Sequence, residues 1–464
     1  MRTTLFILAT LILFPIAAAA QDTALFTSGG SPSRGGSPST NRLTADLHFL
    51  TRGEIRDGGI AAAAPEATLG DHANFVLGRS RLTLGFEKTY LSTRLDLRQL
   101  GIWGQAGGSA FNVYEAWARL SALSGLFLQA GRQTLSYDDE RIIGPNDWAM
   151  AGTSHDALKL GFEGCGHKAH LILAYNQNEE NMTNGSSFYT GGALPYKTMQ
   201  TVWYHYDLPL ITSGGAPPNG GAPSLGISLL MMNIGMQAGQ PGTGDHIEWQ
   251  QVYGGYAKYA PSRWSLEASY YRQSGHNENG KAIKAWMASL LAKWQPQSAF
   301  GFKAGFDYLS GDDYFVVAQQ GNIGLIQHDT LRGFTSVFGS HHQFYGAMDF
   351  FYISTFVNGF SPGLQNAFIG TYVKPINNLR IYLDYHYLAM STRLPDIDMD
   401  MTLGHELELE ASWQIKQDVT LSLGLSLMVG TKSMERLKRA STDGSLRWAW
   451  LALNITPRIL TKEW

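Results

Sequence analysis

The chain has 464 residues, with 35 Lys or Arg against 38 Asp or Glu, and its formal net charge is −3. Because a nucleic-acid-binding protein carries a basic surface, this charge argues against a nucleic-acid partner. Only 16% of the residues are charged, against about 25% in an average soluble domain, whereas 12% are aromatic and 52 are glycine. With a mean hydropathy of −0.14, this composition excludes a disordered chain and a protein built from transmembrane helices.

The N-terminus has the organisation of a secretory signal. Met1 and Arg2 precede an apolar run at positions 5–16, and four alanines follow at positions 17–20. This pattern predicts a signal peptide over residues 1–20, because the apolar run is shorter than the roughly 20 residues that span a bilayer. Residues 21–41 are rich in Ser, Gly and Pro and are predicted to form a flexible leader. We expect one further domain, over residues 42–464.

From residue 42 onward, apolar and polar residues alternate with a period of two. The pattern is clear at residues 43–56, 90–99, 379–389, 405–413 and 419–427. Alternation of this kind predicts strands with one apolar and one polar face. We predict eighteen strands, centred near residues 49, 80, 95, 117, 130, 159, 172, 203, 230, 254, 269, 288, 305, 368, 384, 409, 424 and 451.

The connections between these strands distinguish a soluble sandwich from a membrane barrel. Short connections alternate with long ones, among them 137–154, 179–196, 236–246, 311–362 and 430–444. Short periplasmic turns and long extracellular loops are typical of outer-membrane barrels. The predicted fold class is therefore all-β: a transmembrane antiparallel β-barrel of about 18 strands (16–18). The range is needed because one connection on the short side, 208–224, is long.

The predicted barrel implies a location and two partners. We expect the protein in the outer membrane of a Gram-negative bacterium, in contact with outer-membrane lipid. Residues 445–464 are apolar and aromatic and end on Trp464, which resembles the C-terminal recognition signal of bacterial outer-membrane barrels. The barrel-assembly machinery is therefore an expected partner.

The polar faces of the predicted strands supply candidate pore-lining residues. Arginine suits a pore that binds carboxylates or phosphates, because it stays charged and offers a planar fork of donors. A purely structural role, in which these arginines neutralise neighbouring acids, is equally open. The candidates from alternation are Arg52, Arg56, Arg79, Arg81, Arg94, Arg98, Arg119, Arg132, Glu54, Asp96, Glu115, Arg380, Asp384, Glu406, Glu408 and Glu410.

Several ordered motifs resemble a known family. Residues 131–144 read GRQTLSYDDERIIG, and Asp147-Trp148 and the segment SHDALKL at 154–160 follow them. This order resembles the alginate-export family of 18-stranded outer-membrane barrels, and residues 307–313, 338–349 and 403–407 extend the similarity over roughly 42–464. The resemblance implies passive passage of an anionic polysaccharide through an arginine-lined pore. It makes Arg132 and Arg141 the first binding candidates.

Other functions stay open at this stage. We expect passive passage of an anionic polysaccharide or of small hydrophilic solutes through an arginine-containing lumen. The alternative, favoured by the stripe Glu406, Glu408 and Glu410, is a mixed-charge lumen, as in a general porin or a saccharide-uptake channel. Asp384 and His386 share one strand face and could form the acid–base pair of a barrel enzyme, although we expect a non-enzyme. A structural or adhesion barrel would use its loops instead. We expect no cofactor and no metal, and residues 311–362 either enter the lumen or lie over it.

Overall fold

The computed structural model describes most of the chain. The described residues are 41–57, 72–105, 109–122, 124–178, 187–192, 194–209, 224–312, 314–319, 322–327, 329–351, 361–393, 400–438 and 445–464. The signal peptide and all but the last residue of the leader, as predicted from the sequence, lie outside these ranges. No helix among the described residues is long and apolar enough to cross a membrane.

Strands dominate the described part of the chain, which contains one short α-helix, α1 (Lys432–Lys438), after β20. The strands are β1 (Arg42–Asp57), β2 (His72–Lys88), β3 (Leu91–Ile102), β4 (Ser109–Ser121), β5 (Leu126–Gln133), β6 (His155–Gly164), β7 (His167–Tyr175), β8 (Thr198–Pro209), β9 (Ser224–Gln240), β10 (Thr243–Ala260), β11 (Trp264–His276), β12 (Ala282–Gln297), β13 (Phe300–Leu309), β14 (Tyr314–Gln319), β15 (Asn322–Gln327), β16 (Thr330–Leu331), β17 (Leu364–Ile376), β18 (Leu379–Ala389), β19 (Thr402–Lys416), β20 (Val419–Gly430), β21 (Leu446–Ile455) and β22 (Arg458–Glu463).

The described strands close into an 18-stranded antiparallel barrel. Within the run β1–β13 and within the run β17–β21, each strand pairs with the strands before and after it. Strand β13 pairs directly with β17 and so joins the two runs. Strand β1 pairs with β21 and with its continuation β22, which closes the sheet. At the seam, the backbone N–H of Asn41 donates to the carbonyl of Trp464 at 2.8 Å, and the reverse bond measures 3.1 Å. The predicted fold class is confirmed, and all eighteen predicted strand centres lie within barrel strands.

The two ends of the barrel differ in their connections. Two to four residues join β2 to β3, β4 to β5, β6 to β7, β10 to β11, β12 to β13, β17 to β18 and β19 to β20. The long connections 134–154 and 310–363 lie at the other end. The predicted long connection 236–246 is wrong, because β9 continues to Gln240 and β10 begins at Thr243. Gly239, Gly242 and Gly244 have positive φ angles there, which allow a tight turn in a sequence that otherwise reads as a loop.

The outer face of the barrel is apolar. On β19, for example, Leu407 is 44% exposed whereas its neighbour Glu406, which faces inward, is fully buried. Because no backbone polar group of a closed barrel is left unpaired, such a barrel can span a bilayer with its apolar residues towards lipid. Bacterial outer-membrane barrels combine an even number of antiparallel strands with an outward-facing apolar band, and this barrel has both. The predicted location, the outer membrane of a Gram-negative bacterium, is therefore confirmed.

Two long connections fold into the barrel and form its hydrophobic core. Inner loop A (residues 134–154) contributes Leu135 and Ile143, and inner loop B (residues 329–351) contributes Phe334 and Phe338. They pack against one another and against inward-facing wall residues such as Met232. Of the two alternatives for residues 311–362, residues 329–351 therefore follow the first and enter the lumen.

Candidate functional site

Inner loop A leaves the wall where strand β5 ends early. Strand β5 has 8 residues against 13 in β4. Gly131 adopts a φ of +118° there, and a Cβ at this position would lie 2.2 Å from the carbonyl oxygen of Ala116, so the position requires glycine. The amide of Gln133 points inward and donates to the carbonyl of Ala157 at 2.9 Å. The chain then turns into the lumen.

Inner loop A first contacts the wall formed by β8 and β11. The Asp138 carboxylate accepts hydrogen bonds from the Trp203 indole at 3.0 Å and from the Tyr271 hydroxyl at 3.3 Å. Asp139 accepts one from the Ser269 hydroxyl at 3.2 Å. Burial raises the pKa of both Asp138 and Asp139 above the usual value for a carboxyl group.

Arg141 anchors inner loop A instead of lining the pore. Its guanidinium lies 2.8 Å from Asp307 on β13 and 3.1 Å from Asp139, and it donates to the Tyr345 hydroxyl at 3.1 Å. Burial opposes the charged form, but Asp307, Tyr345 and Asp139 outweigh it, so the pKa of Arg141 is raised. The prediction of a solute-binding Arg141 is therefore wrong: the side chain is 5% exposed and already fully paired.

The two inner loops are joined by hydrogen bonds inside the barrel. The backbone N–H of Gly144 donates to the carbonyl of Phe338 at 2.8 Å, and the backbone N–H of Phe338 donates to the carbonyl of Ile142 at 3.0 Å. The Ser340 hydroxyl donates to the Glu140 carboxylate at 2.8 Å. Inner loops A and B thus form one body across the barrel.

On the opposite side, inner loop A contacts the arginines of β2 and β3. The Asp147 carboxylate lies 3.2 Å from Arg79, 2.8 Å from Arg81 and 3.2 Å from Arg98. Burial raises the pKa of Asp147, but the three arginines outweigh this effect and hold it below its usual value. The side chains of Arg79 and Arg98 are 2% and 0% exposed, whereas that of Asp147 is 45% exposed. The group that faces the lumen here is therefore a carboxylate.

Trp148 fixes the tip of inner loop A beside Asp147. The guanidinium carbon of Arg52 lies 3.9 Å from the centroid of the Trp148 ring. The imidazole of His342, in inner loop B, stacks on Trp148 with 3.8 Å between centroids and 7° between planes. Trp448 and Trp450 on β21 contact the same ring edge-on. The loop tip is held from both sides.

Seven arginines on the inner faces of β1–β4 form what we call the arginine wall. Its members are Arg52, Arg56, Arg79, Arg81, Arg94, Arg98 and Arg119. All seven lie within 4 Å of a carboxylate oxygen, and five carboxylates are involved: Glu54, Asp96, Glu115, Asp147 and Glu163. Arg56 and Arg94 keep 29% and 40% of their side chains exposed. The wall therefore neutralises neighbouring acids, and two of its members also keep part of their side chains exposed.

The structure places Arg132 on the outer face. It lies on the same side of β5 as the exposed residues Leu126 and Leu128, and its guanidinium bonds Asp156 on β6 at 2.9 and 2.7 Å. The prediction that Arg132 lines the pore is therefore wrong. Alternation was misleading because the ion pair with Asp156 lets an arginine occupy the apolar face.

The acidic stripe of β19 holds inner loop B. Glu406 accepts a hydrogen bond from the backbone N–H of Met348 at 2.8 Å, and Glu408 accepts one from Ala347 at 2.6 Å. Glu410 lies on the same inner face, is exposed, and is closer to the short turns. These carboxylates therefore bind backbone amides of the loop, a role that alternation alone does not reveal.

Strand β18 carries the remaining candidates on its inner face. Arg380 is exposed beside the short turn 377–378. Asp384 pairs with Lys303 at 2.7 Å, whereas His386 hydrogen-bonds Asn366 at 2.9 Å. No bond between Asp384 and His386 occurs among the described residues, so the suggested acid–base pair is not assembled.

Sequence reasoning missed two sets of functional residues. The first set positions the inner loops: Asp147 contacts the arginines of β2 and β3, and Ser340 contacts Glu140. No local pattern reveals these contacts. The second is a set of inward-facing lysines near the short turns, where Lys258 and Lys293 lie 3.4 and 2.9 Å from Glu267. The alternation of apolar and polar residues on β10–β12 was enough to predict that these lysines face the lumen. Within the described ranges, no cluster of three or more His, Cys, Asp or Glu side chains could hold a metal ion.

Comparisons with known proteins identify similar folds only. No protein-family model matches the chain, and no curated protein matches it either. Among solved structures, Pseudomonas aeruginosa OccK9 (OpdG) aligns with a TM-score of 0.58 and 12% identity over 90% of this chain and 98% of its own. Pseudomonas aeruginosa OprD gives 0.54 and 11% over 90% and 96%. A BenF-like porin from Pseudomonas fluorescens Pf-5 gives 0.56 and 10% over 90% and 99%.

These neighbours correct the resemblance to the alginate-export family. OprD, Occ and BenF-like barrels align with this chain over nearly their whole length. The motif residues Gly131, Gln133 and Arg141 have structural roles in placing inner loop A. The alginate-export assignment is therefore withdrawn. The chain is an outer-membrane β-barrel with the fold of OprD and the BenF-like porin.

Proposed function

We propose that the chain is a passive channel for small hydrophilic solutes, which pass the joined inner loops and the exposed side chains of the arginine wall. The observation that carries this proposal is the hydrogen-bonded junction of inner loops A and B inside the barrel. An 18-stranded barrel would otherwise enclose a wide aqueous channel. Because the joined loops occupy much of that space, the arrangement favours small solutes over a polysaccharide chain.

The charges of the arginine wall favour a modest preference for anions. Its seven arginines contact five carboxylates, so the cluster carries two more positive than negative charges. Arg56 and Arg94 offer their exposed parts to passing solutes. The partial neutralisation supports a mixed-charge channel whose selectivity is weak compared with that of an unpaired cationic ring.

Planar-bilayer recording of the refolded full chain tests this proposal. We expect stepwise single-channel conductance and a reversal potential in a KCl gradient that indicates moderate preference for chloride. Liposome swelling should be fast with small sugars and organic acids and should stop as solute size increases. A protein that never conducts would contradict the channel, and rapid entry of a polyuronate chain would contradict the narrow passage.

Two variants test the contribution of the wall. Replacing Arg56 and Arg94 by glutamine should shift the reversal potential towards cations, because it removes the two most exposed positive charges of the arginine wall. Arg132→Gln is the matched control, since it removes an arginine from the outer face. If the control shifts the reversal potential as much as the double variant, the arginine wall does not set the selectivity.

A further inference from the structure

Two cations lie on the outer face of β11 and β12. Arg272 and Lys284 are both exposed. Arg272 follows the exposed Tyr270 on the same face of β11 and lies next to the buried Tyr271, and Lys284 shares its face of β12 with the exposed Trp286. Both side chains therefore point away from the lumen, towards the surroundings of the barrel.

The two cations are close enough to share one anion. In the register of β11 and β12, Arg272 lies opposite Trp286, and Ser274 lies opposite Lys284. Arg272 and Lys284 are thus diagonal neighbours on one face, at a typical separation of about 7–8 Å, which long side chains can bridge. In the described part of the chain, neither forms an ion pair or a side-chain hydrogen bond.

Their height places them at the membrane boundary on the side of the long loops. Trp264 marks the start of β11 beside the short turn, and Arg272 is eight residues further along the strand. At about 3.4 Å per residue and a tilt of about 40°, Arg272 lies roughly 20 Å above Trp264. The apolar band of such barrels is about 25 Å tall. Arg272 therefore lies near its upper edge.

An aromatic row at the same height supports this placement. Trp286 stacks on Tyr308 with 4.7 Å between ring centroids, and Tyr270 lies 6.1 Å from Trp286. Tyr and Trp side chains concentrate at membrane–water interfaces because each has an apolar ring and a polar edge. The two cations thus stand among the aromatic residues of the outer-leaflet boundary.

The Arg132–Asp156 pair on the same outer face shows a cation that is neutralised by a carboxylate of the protein itself. Arg132 is neutralised by a bidentate bond to Asp156. A charge beside hydrocarbon is unfavourable unless it has a partner or reaches the headgroups. Arg272 and Lys284 have no such partner among the described residues, and at this height an anionic lipid headgroup can supply one.

We propose that Arg272 and Lys284 form a binding site for a phosphate group of an outer-leaflet glycolipid. Two adjacent cations complement a phosphate with its several acceptor oxygens, and the aromatic row provides a surface for the upper part of the acyl chains. The site is on the lipid side of the wall, so it is independent of solute passage through the lumen.

Native mass spectrometry of the refolded full chain in detergent tests this site, with bisphosphorylated lipid A as the probe. We expect a complex with one tightly held lipid and much weaker retention of lipid A from which both phosphates have been removed. The double variant Arg272→Gln with Lys284→Gln should weaken binding by about 30-fold, since each cation near an anionic headgroup contributes a factor of about five and the two factors multiply.

Two further variants keep the result interpretable. Exchanging the charges, as Arg272→Lys with Lys284→Arg, should preserve most of the binding. Lys88→Gln, which removes a cation at the opposite edge of the barrel beside Tyr90, should leave it unchanged. Equal retention of phosphorylated and dephosphorylated lipid, or wild-type binding by the double glutamine variant, would overturn the proposal.

Discussion

Arg141 shows how burial gives a charged residue a structural role in place of contact with solutes. Its guanidinium is enclosed by Asp307, Asp139, Tyr345 and Phe344. Removing one member of such a group leaves the remaining charges without compensation in a poorly hydrated place. Arg141 therefore matters for stability and for the position of inner loop A, and its contact with solutes is prevented by the residues that surround it.

We expect Arg141→Gln to lower the free energy of unfolding by about 3–5 kcal/mol, because Asp307 and Asp139 would stay buried without their cation. Denaturant unfolding of the refolded protein, followed by tryptophan fluorescence, measures this change. The control is Lys168→Gln, because Lys168 and Asp207 form an ion pair at 3.3 Å with nearly half of each side chain exposed. Such a pair contributes at most about 1 kcal/mol. Equal losses in both variants would contradict the anchoring role.

The lowered pKa of Asp147 predicts how the conductance of the channel changes at low pH. Its pKa lies below the usual value of 3.8, so its contribution to loop position is fully present above pH 3.8 and is lost as the pH falls through the lowered pKa. Single-channel conductance should therefore lose its Asp147-dependent component only below pH 3.8. The variant Asp147→Asn should show the acid behaviour already at pH 7.

A second variant separates Asp147 from the other loop carboxylates. Burial raises the pKa of Asp138, so Asp138 protonates at a higher pH than Asp147 does. In the Asp138→Asn variant, the transition below pH 3.8 should persist. If Asp147→Asn behaves as the wild type at pH 7, the contact between Asp147 and the arginines does not hold inner loop A.

At the scale of single elements, the strands were predictable and the paths of the loops were not. Because each barrel strand has one apolar and one polar face, its own residues alternate in polarity. All predicted centres therefore fall within strands. Inner loop A is positioned by contacts with β2, β3, β8, β11 and β13. Such contacts depend on partners that are far away in the sequence, and no local pattern reports them.

Strand β5 shows where alternation misleads. Its inner face carries Gln129 and Gln133, and its outer face ends on Arg132. A rule that assigns every arginine to the lumen fails here, because Asp156, 24 positions away, neutralises Arg132. Predicting that face from sequence would require the pairing of β5 with β6 in its correct register.

The junction of the inner loops can be opened by a single substitution. A Cβ at Gly339 would lie 2.4 Å from the carbonyl oxygen of Arg141, so Gly339→Val should push inner loops A and B apart. We expect a larger single-channel conductance and more frequent current fluctuations. Gly53→Ala is the control, because its Cβ would meet only Val76 at 3.9 Å. Unchanged conductance in Gly339→Val would show that the junction does not limit the passage.

At the scale of the whole molecule, the seam between the first and last strands closes the barrel. Strand β22 pairs with the first residues of β1, and the seam ends at the Asn41–Trp464 backbone bonds. Removing residues 456–464 would leave the beginning of β1 as an unpaired edge. We expect this truncation to lower the yield of heat-resistant barrel on semi-native gels.

The control for this truncation is Arg458→Gln. It removes the ion pair with Asp46 at 2.6 Å and keeps the backbone pairing of β22, so it should fold nearly as well as the wild type. If the truncated protein yields as much heat-resistant barrel as this control, the last strand is not needed for closure.

The whole-molecule comparison also explains why the family resemblance was misleading. Gly131, Gln133 and Arg141 satisfy the geometry of a loop that enters a barrel, and that geometry does not depend on the solute. Short ordered motifs of this kind therefore indicate how a loop is positioned in the barrel. The substrate depends instead on the open space and the charges that the loops leave in the lumen. Only the assembled barrel reveals those.

The junction of the inner loops also has a consequence for the order of assembly. The bond between Ser340 and Glu140 joins residues 200 positions apart, whereas neighbouring barrel strands are joined by turns of a few residues along one side of the sheet. Contacts that close long stretches of chain form slowly, because the entropy of the intervening segment must be lost first. We therefore expect the wall to be complete before the passage is narrowed. A newly inserted molecule would be wide open and would leak until its two inner loops meet.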